Sequence, residues 1–132
     1  MQKIMIIDSD VQQVRELSGG LWETYRILGC SRGAKAMELF HLFEPEAVIL
    51  DPTTRDLNGK EFIQRVRVLP KGRRIPILAL SRMTTLRQVE ESFDLGADMV
   101  FSKPCAAERV KTKLHKLLTP PSNLRRPELV GS

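Results

Sequence analysis

Short apolar runs alternate along this chain with longer stretches in which apolar residues recur every three or four positions. Runs of the first kind are typical of buried strands, and stretches of the second kind are typical of amphipathic helices. The strand candidates are residues 3–7, 26–30, 47–50, 75–80 and 99–101. A helical stretch follows each of them, so the pattern predicts five βα units and a parallel sheet.

Each helical stretch has an apolar face that we expect to pack on the sheet. The residues predicted to form these faces are, helix by helix, Val11, Val14, Leu17, Leu21 and Trp22; Met37, Leu39, Phe40 and Phe43; Phe62, Ile63, Val66 and Leu69; Leu86, Val89 and Phe93; and Val110, Leu114, Leu117 and Leu118. Gly19 and Gly20 weaken the first helix near its middle. Pro45 prevents the second helix from continuing, and Gly96 caps the fourth.

A chain of 132 residues is the size of one domain. Thr119-Pro120-Pro121 stops the last helix, so we expect the domain to occupy residues 1–118 and a Pro-rich tail, or the start of a linker, to occupy residues 119–132.

The chain lacks an apolar run long enough to span a membrane and the pattern of a signal peptide, which predicts a cytoplasmic protein without a membrane partner. Cys30 and Cys105 lack metal-binding spacing, so we expect two reduced thiols.

The net charge of +5 is unevenly distributed. Residues 103–132 hold seven of the 21 Lys and Arg residues but only two of the 16 acidic ones, so the whole excess lies in this segment. A basic final helix without interleaved aromatic residues is more often a solvated face than a nucleic-acid-binding surface. Binding of nucleic acid by this domain is therefore not favoured.

Four polar residues follow predicted strands, and the carboxyl ends of parallel strands meet at one edge of a sheet. Asp8 ends the first strand, Asp51 the third and Ser81 the fourth, while Lys103 lies just past the fifth. Neighbouring carboxylates repel each other unless a cation joins them. Because Mg²⁺ prefers oxygen ligands and takes only one or two protein carboxylates, these residues predict a magnesium and phosphate site.

The chain resembles the receiver domains of bacterial two-component response regulators over about residues 1–118. The segments that carry the resemblance are Lys-Ile-Met-Ile-Ile-Asp at 3–8, Val-Ile-Leu-Asp at 48–51, Asn58-Gly59, Pro-Ile-Leu-Ala-Leu-Ser at 76–81 and Gly-Ala-Asp-Met-Val-Phe-Ser-Lys-Pro at 96–104. Each is weak evidence alone, but five in this order are specific. The resemblance implies an α/β, flavodoxin-like (βα)5 fold, with a five-stranded parallel sheet of order 2-1-3-4-5 and helices on both faces.

The resemblance also implies the role of each site residue. Asp51 would accept a phosphoryl group, Lys103 would pair with the phosphoryl oxygens, and Ser81 would donate a hydrogen bond to them. Asp51, the backbone carbonyl of Thr53 and, through water, Asp8 would hold Mg²⁺. The implied partners are a sensor histidine kinase or phosphotransfer protein, a downstream effector protein or domain, and a second copy of the chain. The implied chemistry is self-phosphorylation and dephosphorylation rather than metabolic catalysis.

One departure from the family pattern concerns the metal. The first strand of a receiver usually ends in two adjacent acids, whereas this chain has Asp8-Ser9-Asp10. Ser9 stands where the acid that binds the metal directly is expected, and a hydroxyl supplies no negative charge. We therefore expect weakened Mg²⁺ binding through Ser9 unless Asp10 reaches the ion.

Further departures concern the phosphoryl pocket and the switch. Arg82 follows Ser81 where a small residue is usual, so its guanidinium would either block the pocket or bind the phosphate. The aromatic switch position holds Val100, and Phe101 is expected on the opposite face of the strand. Arg55 replaces a usual proline in the loop after Asp51. Ordinary aromatic switching is thus not expected.

These departures leave two main hypotheses open. The first is a phosphorylatable receiver that switches a protein-interaction surface, and the second is a pseudo-receiver that acts as a phosphorylation-independent protein-interaction module. A flavodoxin-like cofactor binder is a third, but the acidic segment 9–12 after the first strand would repel a nucleotide phosphate. DNA binding by the last helix is a fourth, and it would be strongly salt-dependent.

Overall fold

The computed structural model describes residues 1–119, and these form five alternating strands and α-helices. The strands are β1 (Lys3–Ile7), β2 (Arg26–Cys30), β3 (Ala47–Leu50), β4 (Ile77–Ser81) and β5 (Met99–Ser102). The helices are α1 (Val11–Leu21), α2 (Ala36–Phe43), α3 (Gly59–Arg67), α4 (Leu86–Asp94) and α5 (Ala107–Leu118), with a 3-10 turn at Gly33–Lys35 before α2. The Pro-rich segment predicted from residue 119 lies, from residue 120 onward, outside the described residues.

All five strands are parallel and lie in the order β2-β1-β3-β4-β5, which confirms the predicted sheet. The central strands are buried on both faces, and this is why they read as continuous apolar runs. The chain order reverses between β1 and β3, so a crevice opens at the carboxyl ends of these two strands. The pairing of Ile7 with Leu50 brings the next residues, Asp8 and Asp51, side by side.

Alternate residues of the strands fill two separate cores. Ile4 and Ile6 pack with the residues of α1 and α5 on one face of the sheet. Met5 and Ile7 pack with the residues of α2 and α3 on the other face. Because successive side chains of a strand point in opposite directions, a single apolar strand contributes residues to both cores. Within residues 1–119, no helix is both long enough and apolar enough to cross a bilayer.

The predicted buried face of α4 is wrong at two of its three residues, since only Val89 is half-buried. Leu86 is 74% exposed and Phe93 is 61% exposed, whereas Ser92 on another side of the helix is buried. The hydroxyl of Ser92 donates to the carbonyl of Gln88 within the same helix, so its burial leaves no polar atom unsatisfied. The helix lies over β5, the edge strand, where the sheet offers too little surface to cover its apolar stripe.

The first helix also differs from its prediction at both ends. Trp22 is 62% exposed and Val11 is also exposed, because they lie at the two ends of α1, outside the stretch bounded by the buried Gln13 and Leu21. Gly19 and Gly20 lie in the last turn of α1 rather than near its middle. The predicted cap at Gly96 is present, with a left-handed φ of 91° that favours glycine.

An arginine at the opposite end of the sheet fixes the strands that carry the site. Arg67, the last residue of α3, donates to the carbonyl oxygens of Gly72 and Ile75 at 3.1 and 2.6 Å. It also pairs with Asp98 at 2.9 Å, and the same carboxylate oxygen accepts the Ile77 amide at 2.7 Å. These contacts hold together the beginnings of β4 and β5, whose other ends deliver Ser81 and Lys103.

The two glycines of α1 provide a matched test of the contact between α1 and α5. A Cβ at Gly20 would overlap the Cβ of Ala107, whereas a Cβ at Gly19 would meet open space. We predict that Gly20→Ala lowers the free energy of unfolding by about 1–3 kcal/mol, the usual cost of overpacking. Gly19→Ala should raise it by about 0.5 kcal/mol through helix propensity. Urea denaturation measures both, and equal effects of the two substitutions would contradict the close contact.

Candidate functional site

Two carboxylates lie buried at the carboxyl ends of the central strands. Asp8 follows β1 and is 3% exposed, while Asp51 follows β3 and is 6% exposed. The sheet ladder continues through both residues, since the Asp8 amide donates to the carbonyl of Cys30 at 3.0 Å and the Asp51 amide to that of Ile7 at 2.9 Å. Their backbones are therefore fixed by the sheet, and their side chains are adjacent.

A lysine ammonium joins these carboxylates. The Nζ of Lys103 lies 2.8 Å from Asp8 Oδ2 and 2.7 Å from Asp51 Oδ2, and the lysine side chain is only 7% exposed. Its backbone amide donates to the carbonyl of Ser81 at 2.8 Å, and its peptide bond to Pro104 is cis. The structure therefore brings together residues that follow β1, β3 and β5, with Ser81 buried at the end of β4.

The electrostatics of this cluster follow from burial and pairing. Burial raises the pKa of Asp8, and hydrogen bonds from Lys103 and from the Asp10 amide offset part of the rise. Burial alone would lower the pKa of Lys103, but the hydrogen bonds and charges of Asp51 and Asp8 outweigh it and leave the pKa above its ordinary value. The lysine is therefore a permanent cation between two acidic groups at neutral pH.

The other oxygen of Asp51 is held by its own loop. Asp51 Oδ1 accepts the Thr53 amide at 2.8 Å and the Thr53 hydroxyl at 2.7 Å. The buried Thr54 hydroxyl donates instead to the carbonyl of Asp51 at 2.6 Å. Sequence reasoning considered only the backbone carbonyl of Thr53 and missed both hydroxyls. The signal was present, since Asp followed by Thr two residues later is typical of a turn in which the side chain binds the backbone.

The segment after Asp8 serves the first helix. Asp10 caps α1, and its carboxylate accepts the amides of Gln12 and Gln13 at 3.1 and 3.3 Å. Its own amide donates to Asp8 Oδ1 at 2.9 Å, which orients the buried carboxylate. Ser9 lies exposed between the two acids. The Asp10 carboxylate is thus engaged at the helix N-terminus, apart from the carboxylates that Lys103 joins.

The remaining predicted site residues lie on β4, on β5 and in the loop after β3. Arg82 is exposed directly after the buried Ser81, and Arg55 is exposed in the loop that follows Asp51. Phe101 is buried in the core beneath α1 and α5, while Val100 on the other face of β5 is half-buried. The ring of Phe101 therefore cannot occupy the position of Val100.

The oxygen atoms at this edge suit a hard cation. Across residues 1–119, no group of three or more His, Cys, Asp or Glu side chains is arranged to hold a metal. The candidate donors are the adjacent carboxylates of Asp8 and Asp51, to which the resemblance adds the carbonyl of Thr53. This small set fits Mg²⁺, which keeps several of its waters and needs only one or two carboxylates.

Comparison with known proteins identifies the family. The sequence model described as "Response regulator receiver domain" matches residues 4–115. The chain belongs to this family. Receiver domains are the signal-receiving part of two-component response regulators, so the predicted family and function class are confirmed at this level.

Curated relatives include both whole receivers and larger proteins. The chain is 27% identical over 124 residues to sporulation initiation phosphotransferase F of Bacillus subtilis and covers 98% of it. It is 31% identical over 117 residues to the probable transcriptional regulatory protein SilR of Salmonella typhimurium but spans only 50% of that protein. It spans 25% of a probable cyclic di-GMP phosphodiesterase of Vibrio cholerae, to which it is 29% identical over 113 residues.

Solved structures confirm the predicted flavodoxin-like fold. The receiver aligns with the chemotaxis response regulator CheY4 of Vibrio cholerae at a TM-score of 0.79 and 24% identity, covering 89% of this chain and 99% of the other. A putative response regulator from Chloroflexus aurantiacus aligns at a TM-score of 0.80 and 23% identity, covering 89% and 97%. At these identities the likeness shows the shared fold.

The ion cluster predicts strong coupling between Lys103 and Asp51. In buffer that contains a chelator, Lys103→Met should lower the free energy of unfolding by about 3 kcal/mol, because it leaves two adjacent buried carboxylates without a counter-ion. Adding Asp51→Asn should restore at least about 1 kcal/mol of that loss. Urea denaturation of the four proteins of this double-mutant cycle measures the coupling, and Lys116→Met on the exposed face of α5 is the control. Purely additive effects would contradict the cluster.

Proposed function

We propose that this receiver takes a phosphoryl group from a histidine kinase or phosphotransfer protein onto Asp51, with Mg²⁺, and thereby switches a protein-interaction surface. The observation that carries the proposal is the Asp51 carboxylate at the crevice with the Lys103 ammonium 2.7 Å from its Oδ2. A carboxylate nucleophile beside a fixed cation suits phosphoryl transfer, which depends mainly on positioning and charge neutralisation.

The transfer step requires little from the protein beyond this arrangement. An Asp51 oxygen attacks the phosphorus of a phosphohistidine, the P–N bond breaks, and its electron pair remains on the imidazole nitrogen, which takes up a proton from solvent. Lys103 neutralises the phosphoryl oxygens as they approach. Ser81, at the end of β4, donates a hydrogen bond to them from its hydroxyl.

Mg²⁺ would be held by Asp51, the carbonyl of Thr53 and, through water, Asp8, with Ser9 as an uncharged neighbour. The ion would supply positive charge to the phosphoryl oxygens. Asp8 and Asp51 share the single positive charge of Lys103, so the three side chains keep one net negative charge that attracts a cation.

The output surface lies beside β4 and β5. An attached phosphoryl group adds nearly two negative charges next to Ser81 and draws that hydroxyl and its loop toward Asp51. The loop continues into α4, whose Leu86 and Phe93 side chains are exposed. We infer that a downstream effector or a second copy binds there. Since Val100 replaces the aromatic switch residue, the signal would pass through the loop and Arg82.

A relative supports the phosphotransfer assignment. The Bacillus subtilis protein that this chain covers almost entirely is named a phosphotransferase. The larger relatives are named as a regulator of transcription and a phosphodiesterase, so receivers of this kind serve different outputs. The cellular response to phosphorylation of this receiver would therefore depend on the protein that binds the surface beside β4 and β5.

The second candidate, a pseudo-receiver that acts through protein contacts alone, is favoured by a specific observation. Every carboxylate oxygen of Asp8 and Asp51 already has a donor from the protein: the Asp10 amide, Lys103 or Thr53. With Ser9 in place of an acid and the exposed Arg82 directly after Ser81, this cluster is satisfied without metal or phosphate.

Phosphorylation in vitro separates the two candidates. After incubation with acetyl phosphate and Mg²⁺, the intact mass of the protein should rise by that of one phosphoryl group, because Asp51 is positioned to attack a small donor as well. Asp51→Asn is the matched control and should not gain mass. An unchanged native mass at saturating Mg²⁺, or an adduct that forms equally on Asp51→Asn, would support the pseudo-receiver instead.

The serine at the metal position makes a second prediction. Ser9→Asp should lower the Mg²⁺ concentration needed for half-maximal phosphorylation by roughly tenfold, since it adds a carboxylate to the site. Ser9→Asn is the control, because it changes the size of the side chain without adding charge. An equal Mg²⁺ dependence of all three proteins would show that this position does not contribute to metal binding.

A further inference from the structure

We propose that a cavity at the opposite end of the sheet from Asp51 binds a free amphipathic monocarboxylate, of the class of a medium-chain fatty acid. The cavity measures about 820 Å³ and opens where β1, β3 and β4 begin, beside Lys3, Glu46 and Pro76. Sites for small molecules in proteins usually enclose about 300–1,000 Å³. The inference is independent of the proposed phosphoacceptor function, whose residues lie where these strands end.

The walls of the cavity are mainly apolar. They come from three separate parts of the chain: Phe40 of α2, Leu69 and Ile75 of the segment between α3 and β4, and Leu117 and Leu118 of α5. Phe40 and Ile75 belong to the core on one face of the sheet, whereas Leu118 packs against the core on the other face. The cavity therefore lies where both cores reach the end of the sheet, and it offers an apolar surface whose burial under a hydrocarbon chain favours binding.

Hydrogen bonds and close packing hold these walls in place. Arg67 donates to the carbonyl oxygens of Gly72 and Ile75 at 3.1 and 2.6 Å, and the Gly72 amide donates to the carbonyl of Leu69 at 3.0 Å. A Cβ at Gly72 would overlap the carbonyl oxygen of Val66, so this turn packs directly on α3. The segment at 69–76 is thus fixed before a ligand arrives, and a preformed site loses little conformational entropy on binding.

The charges around the cavity favour a ligand with a single negative charge. Lys3, Lys71 and Arg74 line the cavity with positive charges, and Glu44 and Glu46 line it with negative ones. The Lys, Arg and Glu side chains of the lining therefore leave one net positive charge. A monoanion matches this balance, whereas a dianion such as phosphate would meet repulsion from both glutamates.

Arg74 is the cation available to the head group of the ligand. Lys71 already pairs with Glu44 at 3.3 Å, and the Lys3 ammonium lies 5.6 Å from the centre of the Phe43 ring. Within residues 1–119, the Arg74 guanidinium takes part in no ion pair. A guanidinium binds a carboxylate through two parallel hydrogen bonds, which are among the strongest in proteins. The carboxylate of the ligand is thus bound by Arg74, and its hydrocarbon chain lies along the apolar walls.

The test uses decanoate and decanol as probes, because they share a hydrocarbon chain and differ in the charge of the head group. Binding to the chain of residues 1–132 is measured by isothermal titration calorimetry, and the site is located from amide chemical shifts in NMR spectra. Arg74→Gln removes the head-group cation, and Arg73→Gln makes the same change at an exposed neighbour that does not line the cavity. Leu117→Gln alters the apolar wall, with Leu42→Gln at an exposed position of α2 as its control.

We expect one saturable site at which decanoate binds about tenfold more tightly than decanol, because a hydrogen-bonded ion pair is added to the same apolar contact. Amide shifts should be concentrated at 44–46, 69–76 and 117–118. Arg74→Gln should weaken decanoate about five- to tenfold and leave decanol unchanged. Leu117→Gln should weaken both probes about threefold, and neither control should differ from the native protein.

Equal affinities for the two probes, equal losses in Arg74→Gln and Arg73→Gln, or amide shifts centred on another surface would overturn this inference. Absence of saturable decanoate binding at millimolar concentrations would overturn it as well. Asp51→Asn should bind decanoate as tightly as the native protein, because the two sites lie at opposite ends of the sheet. Failure of decanoate binding would therefore leave the phosphoacceptor proposal intact.

Discussion

The Lys103 ammonium between Asp8 and Asp51 is the interaction on which the functional end of this molecule depends. Two buried carboxylates on adjacent strands repel each other, and only a shared counter-ion makes their burial tolerable. The lysine supplies that charge at 2.7 and 2.8 Å. Its own burial is compensated in turn by the same carboxylates, so none of the three groups is stable in this position alone.

The sheet provides this cluster with its geometry. Parallel pairing places Asp8 beside Asp51 in register, and the backbone hydrogen bond from Lys103 to Ser81 fixes β5 against β4 at the same edge. At the opposite edge, Arg67 and Asp98 hold the beginnings of β4 and β5. The two apolar cores lie between the two edges. The site is therefore positioned by rigid elements at some distance as well as by its immediate neighbours.

The residues around Asp51 differ in a consistent way from the usual receiver site. Ser9 removes a negative charge and Arg82 adds a positive one. Both changes make the net charge of the segments after β1 and β4 more positive than in the usual pattern. In the function proposed above, both changes would weaken the binding of Mg²⁺ at this site.

The sequence by itself determined the strands, the parallel sheet and the residues at the strand ends. Fully buried strands are continuous apolar runs, so most of their limits are visible, although β4 spans Ile77–Ser81 rather than residues 75–80. Asp8, Asp51 and Lys103 directly follow their strands, and Ser81 is the last residue of β4. Tertiary structure decided the exposure of Leu86 and Phe93, because a periodic apolar face does not reveal whether a sheet edge is wide enough to cover it. It also decided that Asp10 caps a helix and that the Thr53 hydroxyl reaches Asp51, because the partner of a polar side chain depends on the path of the surrounding loop.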